Sequence, residues 1–330
     1  MAETGNVALM ARKVADEIFS VFGWEGGGPG DQNWDCVNPE KHALKTHPSD
    51  VVFHYEDPYS DQRLYFNFDL KSYGGTTIKK HTIAKALGSL AKATECANVS
   101  PAWKRLYAGE NGNWQVSGLL FVYNHDGGYE DDFDSLVSHI DSEKLPVSLG
   151  KRVFVMGPKR IAYLSTVAND ILRGRGLTTA AIAPADKCCF YYPDLVSARP
   201  KSNSQKAASI EMLLGPWQIL RFNRIDGTNV EDVHHLYYAG EGKTIDEFKY
   251  LLDYLFRYQR LDDSAHISLR MPFAAHDAPA TFKMAKDAYA ADFYDLKEFR
   301  DRLDRVVFHP ISTVIREFSK IQLGMENGKA

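Results

Sequence analysis

Residues 47–73 read HPSDVVFHYEDPYSDQRLYFNFDLKSY, and the fold turns on how this stretch pairs with itself. Its second half, RLYFNFDLKSY (63–73), alternates cleanly. Leu64, Phe66, Phe68 and Leu70 fall on one side, and Arg63, Tyr65, Asn67, Asp69 and Lys71 on the other. Successive strand residues point to opposite faces, so this pattern predicts a half-buried β-strand. VVFHYE (51–56) predicts a shorter one before it. If DPYSDQ (57–62) forms the connecting loop, Glu56 pairs with Arg63 and the residue numbers of antiparallel partners sum to 119. Asp50 then stands opposite Asp69. Cross-strand Cβ atoms lie about 4.5–5.5 Å apart, and like charges at that range are destabilising. Such a pair calls for a raised pKa or for a cation between the carboxylates. Mg²⁺ suits the second option, because it accepts one or two carboxylates and keeps water and phosphate oxygens in the rest of its shell. Lys71 shares the face of Asp69 and can bring an ammonium to a charge developing on phosphate. A slip of one residue in register would dissolve this arrangement.

Upstream, residues 5–23 predict a helix, with Val7, Met10, Ala11, Val14, Ile18, Val21 and Phe22 at three-four spacing. Gly23 closes it, and GWEGGGPGD reads as a loop. GGGPG (26–30) lacks the Lys-Ser/Thr that a phosphate-binding loop requires and reads as a turn. Downstream, Gly74-Gly75 ends the strand. Thr76 or Thr77 is placed to cap a helix through about Ala97, with Ile83, Ala86, Leu87, Leu90 and Ala91 as its apolar stripe. Strands follow at 116–124 and 152–157, then a helix from Pro158. Beyond Arg175 the candidate strands are 188–192, 217–222, 233–240 and 265–271. A helix capped by Thr244 lies among them, and further helices are expected up to Gly324. A domain boundary is expected near 176–205, dividing the chain into 1–175 and an α/β module over 176–330 suited to a partner or oligomer interface.

Charge is uneven along the chain, although the formal net charge is only −4. Between Lys71 and Arg105 the sole acid is Glu95, and Lys79, Lys80, Lys85 and Lys92 lie on the helix after the Asp-x-Lys strand. Residues 151–224 are basic as well, and an acidic run from Asp126 to Glu143 separates the two stretches. This distribution points to a localised polyanion surface. Lys79, Lys80, Lys85 and Lys92 are therefore candidate nucleic-acid contacts, and 151–224 is a candidate extension of the groove.

HPSDVVFHYEDPYSDQRLYFNFDLKSY, followed by its lysine-rich helix, resembles the PD-(D/E)xK, or restriction-endonuclease-like, nuclease superfamily. The resemblance covers residues 5–125 and extends at most to 175. It implies a helix, a mixed central sheet flanked by helices, Mg²⁺ (or Mn²⁺) as cofactor, and hydrolysis of phosphodiester bonds, in DNA more than in RNA. By that resemblance Asp50 and Asp69 hold the metal, Lys71 acts in catalysis, and Glu17 completes the metal shell from the first helix. Asp16 and Glu25 compete with Glu17 for that role. Ser49 separates Pro48 from Asp50, a departure the degenerate motif tolerates. A role in defence against foreign DNA follows from the resemblance alone. The competing reading is a non-catalytic nucleic-acid-binding or assembly subunit.

Other features carry less. Cys36, Cys96, Cys188 and Cys189 show no CxxC spacing and no paired CxxH, which argues against a structural zinc site or a disulfide framework and for a reducing compartment. The N-terminal stretch lacks the apolar core of a signal peptide, and no apolar run reaches the roughly 18 residues that span a bilayer. A cytoplasmic protein is expected. His234 and His235 are adjacent on a strand, face opposite ways and so do not jointly chelate one ion. His54 falls on the face of Asp50. No nucleophile elbow and no Cys/His nucleophile signature is present.

Overall fold

The computed structural model describes residues 2–60, 62–109, 112–141, 145–146, 152–176, 181–193, 206–226, 229–261, 265–293 and 296–314. The chain forms two compact units, the first running to Ser165 and the second covering Thr166–Val314.

The first unit opens with α1 (Ala2–Val21), followed by β1 (Glu25–Gly26), β2 (Gln32–Asp35), α2 (Pro39–His42), β3 (Thr46–Ser49), β4 (Val51–Glu56) and β5 (Arg63–Tyr73). Then come α3 (Lys80–Ala97), α4 (Pro101–Tyr107), β6 (Trp114–Asn124), α5 (Phe133–Ser138) and β7 (Val153–Met156). Helix α6 (Pro158–Gly176) starts here and carries the chain into the second unit. Five strands form a mixed sheet in the order β1-β4-β5-β6-β7. The β1–β4 and β4–β5 pairs are antiparallel, and the β5–β6 and β6–β7 pairs are parallel. Strands β2 and β3 make a separate antiparallel pair.

The two faces of β5 are dressed as its alternation predicts. Phe19 of α1 packs on Phe68 and Phe53, with ring centroids 4.9 and 5.3 Å apart, and Trp24 lies 4.6 Å from Phe66. Gly23, at φ 80°, makes the turn that brings Trp24 there. On the other face, Ile83, Leu87 and Leu90 of α3 cover Leu120 and Val122 of β6. Gly118 of β6 permits the close approach of α3: a Cβ there would collide with Thr94 Oγ1. Each such apolar side chain contributes about 1.5–3 kcal/mol when fully buried, so burial fixes both helices on the sheet.

Helix α3 begins later than the threonines suggest. Lys79 occupies its N-cap position without a side-chain cap, and Thr76 and Thr77 belong to a 3₁₀ turn over Gly75–Thr77. The turn is held from elsewhere. Asp126, in the loop after β6, accepts the Gly75 N–H at 3.0 Å, and Asn124 Nδ2 donates to the Tyr73 carbonyl at 2.9 Å. Part of the acidic run therefore serves local structure, as does Asp132, which caps α5.

The second unit contains β8 (Cys188–Phe190), α7 (Ile210–Leu214), β9 (Trp217–Asp226), β10 (Asn229–Tyr238), α8 (Ile245–Arg257), β11 (Ala265–Met271), α9 (Ala278–Asp292), α10 (Lys297–Asp304) and β12 (Val306–Pro310). Its sheet has the order β12-β11-β10-β9-β8 and, read from β8, repeats the succession of the first: two antiparallel pairs, then two parallel ones. Thr244 caps α8 as its sequence predicts, its Oγ1 accepting the Glu247 N–H at 3.2 Å. Phe248, Leu251, Leu252 and Leu255 then face the core. Inside, Asp170 takes two hydrogen bonds from Arg270, at 2.6 and 2.7 Å, and one from the Tyr237 hydroxyl at 2.8 Å. The expectation of helices running on to Gly324 is corrected. After α10 the β-branched and aromatic run Val306-Val307-Phe308 pairs with β11 as a parallel edge strand, and residues from 315 onward lie outside the described set. Among the described residues no helix is long and apolar enough to cross a membrane.

Candidate active site

The register of β4 on β5 pairs Glu56 with Arg63 and Val51 with Phe68, which is the predicted sum of 119. Asp50 therefore stands at the mouth of the hairpin, opposite Asp69. Main-chain bonds fix it from both sides. Its N–H donates to the Phe68 carbonyl at 3.4 Å, and its carbonyl accepts from Asp31 N–H at 2.9 Å. Its carboxylate takes the place of a strand neighbour: where β4 has ended, Oδ2 accepts the Leu70 N–H at 2.7 Å.

Asp69 Oδ1 accepts a hydrogen bond from Lys71 Nζ. Both are half-buried, on the face that α3 covers. Burial raises the Asp50 pKa. The Leu70 hydrogen bond opposes that rise, the Asp69 charge adds to it, Lys71 opposes it and Asp31 adds to it. Burial pulls Lys71 down, but Asp69, by charge and by hydrogen bond, and then Asp50 outweigh it, so its pKa is raised. Lys71 is thus held as an ammonium between two acids. Tyr73, next on the same face, has its pKa raised by burial, with Lys71 lowering it and Asp69 raising it. Its phenol stays protonated as a donor.

Beneath these groups runs a buried polar chain. Trp34 Nε1 donates to Ser49 Oγ at 2.9 Å, and Ser49 Oγ donates to Asn67 Oδ1. Ser49, the last residue of β3, adjoins Asp50, and Asn67 shares a strand face with Asp69, so this chain ties the end of β3 to β5 beside both carboxylates. Ser49 is the residue that departs from a strict Pro-Asp motif.

The structure thus brings Asp50, Asp69 and Lys71 together. Glu17 is half-buried on α1, the helix over the opposite face of the sheet. Asp16 is exposed and paired with Arg12 at 3.9 Å, and Glu25 is exposed on β1 opposite His54. Asp31 is a further carboxylate that the sequence motif does not mark, exposed and at φ 52°. Its charge reaches Asp50, and Arg12 Nη1 holds it at 3.2 Å. Its signal is the Gly-Asp turn of GGGPGD, which composition alone marks only as a loop. His54 packs on Tyr65, with ring centroids 5.0 Å apart.

Lys79, Lys80 and Lys85 are exposed on and before α3. Lys92 differs: its Nζ donates to the His42 carbonyl at 3.1 Å and it is half-buried. In the second basic stretch, Arg221 is paired with Asp232 and Arg224 with Glu231. Positions 199–205 of that stretch, most of RPKSNSQK, lie outside the described residues.

Two carboxylates that converge from paired strands, with an ammonium beside them, are oxygen donors of the kind that could hold a hard divalent cation. Residues 1–160 match the sequence model of one family, the GAPS4 protein PD-(D/E)XK nuclease domain. No curated protein matches the chain.

Proposed function

Because the N-terminal part of this chain belongs to the PD-(D/E)xK nuclease superfamily, we propose that it hydrolyses phosphodiester bonds of DNA with Mg²⁺ or Mn²⁺ held by Asp50 and Asp69. The observation that carries this reading is the register that sets Asp50 opposite Asp69 with Lys71 hydrogen-bonded to Asp69. Each carboxylate has one oxygen engaged, Asp50 Oδ2 by Leu70 and Asp69 Oδ1 by Lys71, and its second oxygen would be the one to bind the cation. When bound, the cation supplies charge neutralisation at the phosphate and a site for an activated water.

The remaining work falls to side chains. Lys71, kept protonated by its acidic neighbours, places positive charge on the scissile phosphate and its departing oxygen. Tyr73 offers a phenolic donor on the same face. Lys79, Lys80 and Lys85 hold the phosphate backbone without reading bases. Glu17 and Asp31 are the two candidates for a third carboxylate. A defence role against foreign DNA fits the family named in the match and belongs to this proposal.

The test is a cleavage assay on plasmid and linear DNA, with RNA in parallel. Purified chain is compared with Asp69→Asn and Lys71→Ala, with and without Mg²⁺ or Mn²⁺. The proposal expects metal-dependent DNA cleavage that falls about 10²–10³-fold or more in each variant, the scale of losing one transition-state donor. Salt-sensitive DNA binding that is identical in all three proteins, with no cleavage under any metal, would favour a non-catalytic binding subunit.

A further inference from the structure

The four side chains Cys36, His42, His47 and Cys96 bring one ligand atom each to within 4.8 Å of all the others, and all four are buried. Their spacing, C-x5-H-x4-H and then a cysteine 49 residues on, matches no zinc signature. The cluster is made by tertiary structure. Cys36 follows β2, His42 ends α2, His47 lies in β3, and Cys96 is near the end of α3.

The distances fit a tetrahedral ion. Zinc takes sulfur at about 2.3 Å and imidazole nitrogen at about 2.0–2.1 Å, which at tetrahedral angles separates two sulfurs by about 3.8 Å and a sulfur from a nitrogen by about 3.5 Å. Here the Cys36 and Cys96 sulfurs are 3.7 Å apart, and His42 Nδ1 is 3.4 Å from each. A disulfide requires about 2.05 Å. The outer groups are those of a metal site as well. His42 turns Nε2 to Glu95 at 3.1 Å, the carboxylate–histidine arrangement that orients a ligand ring, and Lys41 holds Glu95 at 2.6 Å. Val37 and Asn38 turn their N–H groups to the Cys96 sulfur.

His47 is the independent sign of a ligand. It is fully buried, and among the described residues neither ring nitrogen has a hydrogen-bond partner. An unpaired buried polar group is costly, and a metal that takes one nitrogen removes most of that cost. We propose that Cys36, His42, His47 and Cys96 bind one structural Zn²⁺ that clamps the β2–β3 hairpin to α3. Four protein ligands close the site, so the ion serves structure and not hydrolysis. Its reach extends to the active site all the same, because His47 lies three residues before Asp50 on the chain that delivers that carboxylate to Asp69.

The experiment measures metal in the full chain, purified under reducing conditions and dialysed against Mg²⁺ without chelator. One equivalent of zinc is expected. Cys36→Ser and Cys96→Ser should lose it, whereas Asp50→Asn/Asp69→Asn should keep it, which separates this site from the catalytic one. Because the cysteine variants can fail by misfolding, the wild-type chain is also stripped and titrated with Co²⁺. Visible d–d bands of tetrahedral cobalt and a sulfur-to-cobalt charge-transfer band are expected, and Zn²⁺ should displace both. A folded wild-type chain that is metal-free and gives no such bands overturns the proposal. So does zinc that departs with the Asp50→Asn/Asp69→Asn change, or a Cys36–Cys96 disulfide in metal-free protein.

Discussion

Replacing Asp50 with asparagine should make the metal-free protein more stable while abolishing its hydrolysis. The side chain sits opposite Asp69, and burial together with the Asp69 charge raises its pKa. Asparagine keeps the shape, and its Oδ1 can still accept the Leu70 N–H that Asp50 accepts at 2.7 Å. What disappears is the repulsion from Asp69, which outweighs the attraction to Lys71 lost with it; a like-charge pair across strands is worth about 0.2–1 kcal/mol, which bounds the gain. In a domain of this size 1 kcal/mol moves Tm by roughly 2–4 °C, so a rise of up to about 4 °C is expected at pH 7 in EDTA. The sign follows from linkage. A carboxyl whose folded pKa lies above its unfolded value stabilises the fold below the unfolded pKa, and that contribution is lost as pH rises through the folded value. The Tm difference between variant and wild type should therefore shrink as the pH is lowered. Mg²⁺ should reverse the order, raising the Tm of wild type and leaving Asp50→Asn unmoved. Differential scanning fluorimetry from pH 4 to 8, with and without Mg²⁺, reads all of this. A variant less stable than wild type in EDTA at pH 7, with no difference in response to Mg²⁺, would refute the reasoning and make Asp50 a structural acceptor for Leu70.

Other consequences can be checked together. Glu17→Gln and Asp31→Asn compete: the residue that completes the metal shell should raise the Mg²⁺ concentration needed for half-maximal cleavage, and the other should leave it unchanged. Equal, unchanged Mg²⁺ titrations would remove both. If Asp50 holds the cation as proposed, it must be ionised to do so, and because its pKa is raised cleavage should rise with pH through that elevated value, with Asp50→Asn showing no such limb at any pH. The triple variant Lys79→Ala/Lys80→Ala/Lys85→Ala should flatten the dependence of DNA affinity on salt by about 0.9 in slope for each phosphate left without its lysine; an unaltered slope in a salt titration would place the DNA elsewhere. In the second unit, Thr244→Ala should cost about 1 kcal/mol through removal of the N-cap, seen as a lower urea midpoint with activity retained.

The hairpin and the meeting of Asp50 with Asp69 and Lys71 were legible because they are local. Alternation marks the faces of β5, and a six-residue loop sets the register, so Asp50 meets Asp69 without any long-range knowledge. The apolar stripes of α1 and α3 and the Thr244 cap of α8 were legible for the same reason. What escaped depends on contacts distant in sequence. Asp126 holds the Gly74–Gly75 turn, so Thr76 and Thr77 do not cap α3. Lys92 is drawn to the His42 carbonyl, 50 residues away. The Cys36–His42–His47–Cys96 cluster joins two segments separated by nearly fifty residues and follows no consensus spacing. Helix α4 was a different failure, because Ser100-Pro101 is a proper start signal and Ser100 Oγ does accept the Trp103 N–H at 3.2 Å. The likeness of the two sheets has no sequence counterpart. It resides in strand order and direction, and β10 carries no Asp-x-Lys where β5 does.

The most direct measurement is the position of a bound Mn²⁺ in a crystal of the wild-type chain, located by its anomalous signal. The account predicts an ion within coordination distance of both the Asp50 and Asp69 carboxylates, with Lys71 Nζ beside it, and loss of that peak in Asp69→Asn crystals under the same conditions. Saturating Mn²⁺ with no ion at these carboxylates, or an ion bound equally in the Asp69→Asn protein, would contradict it.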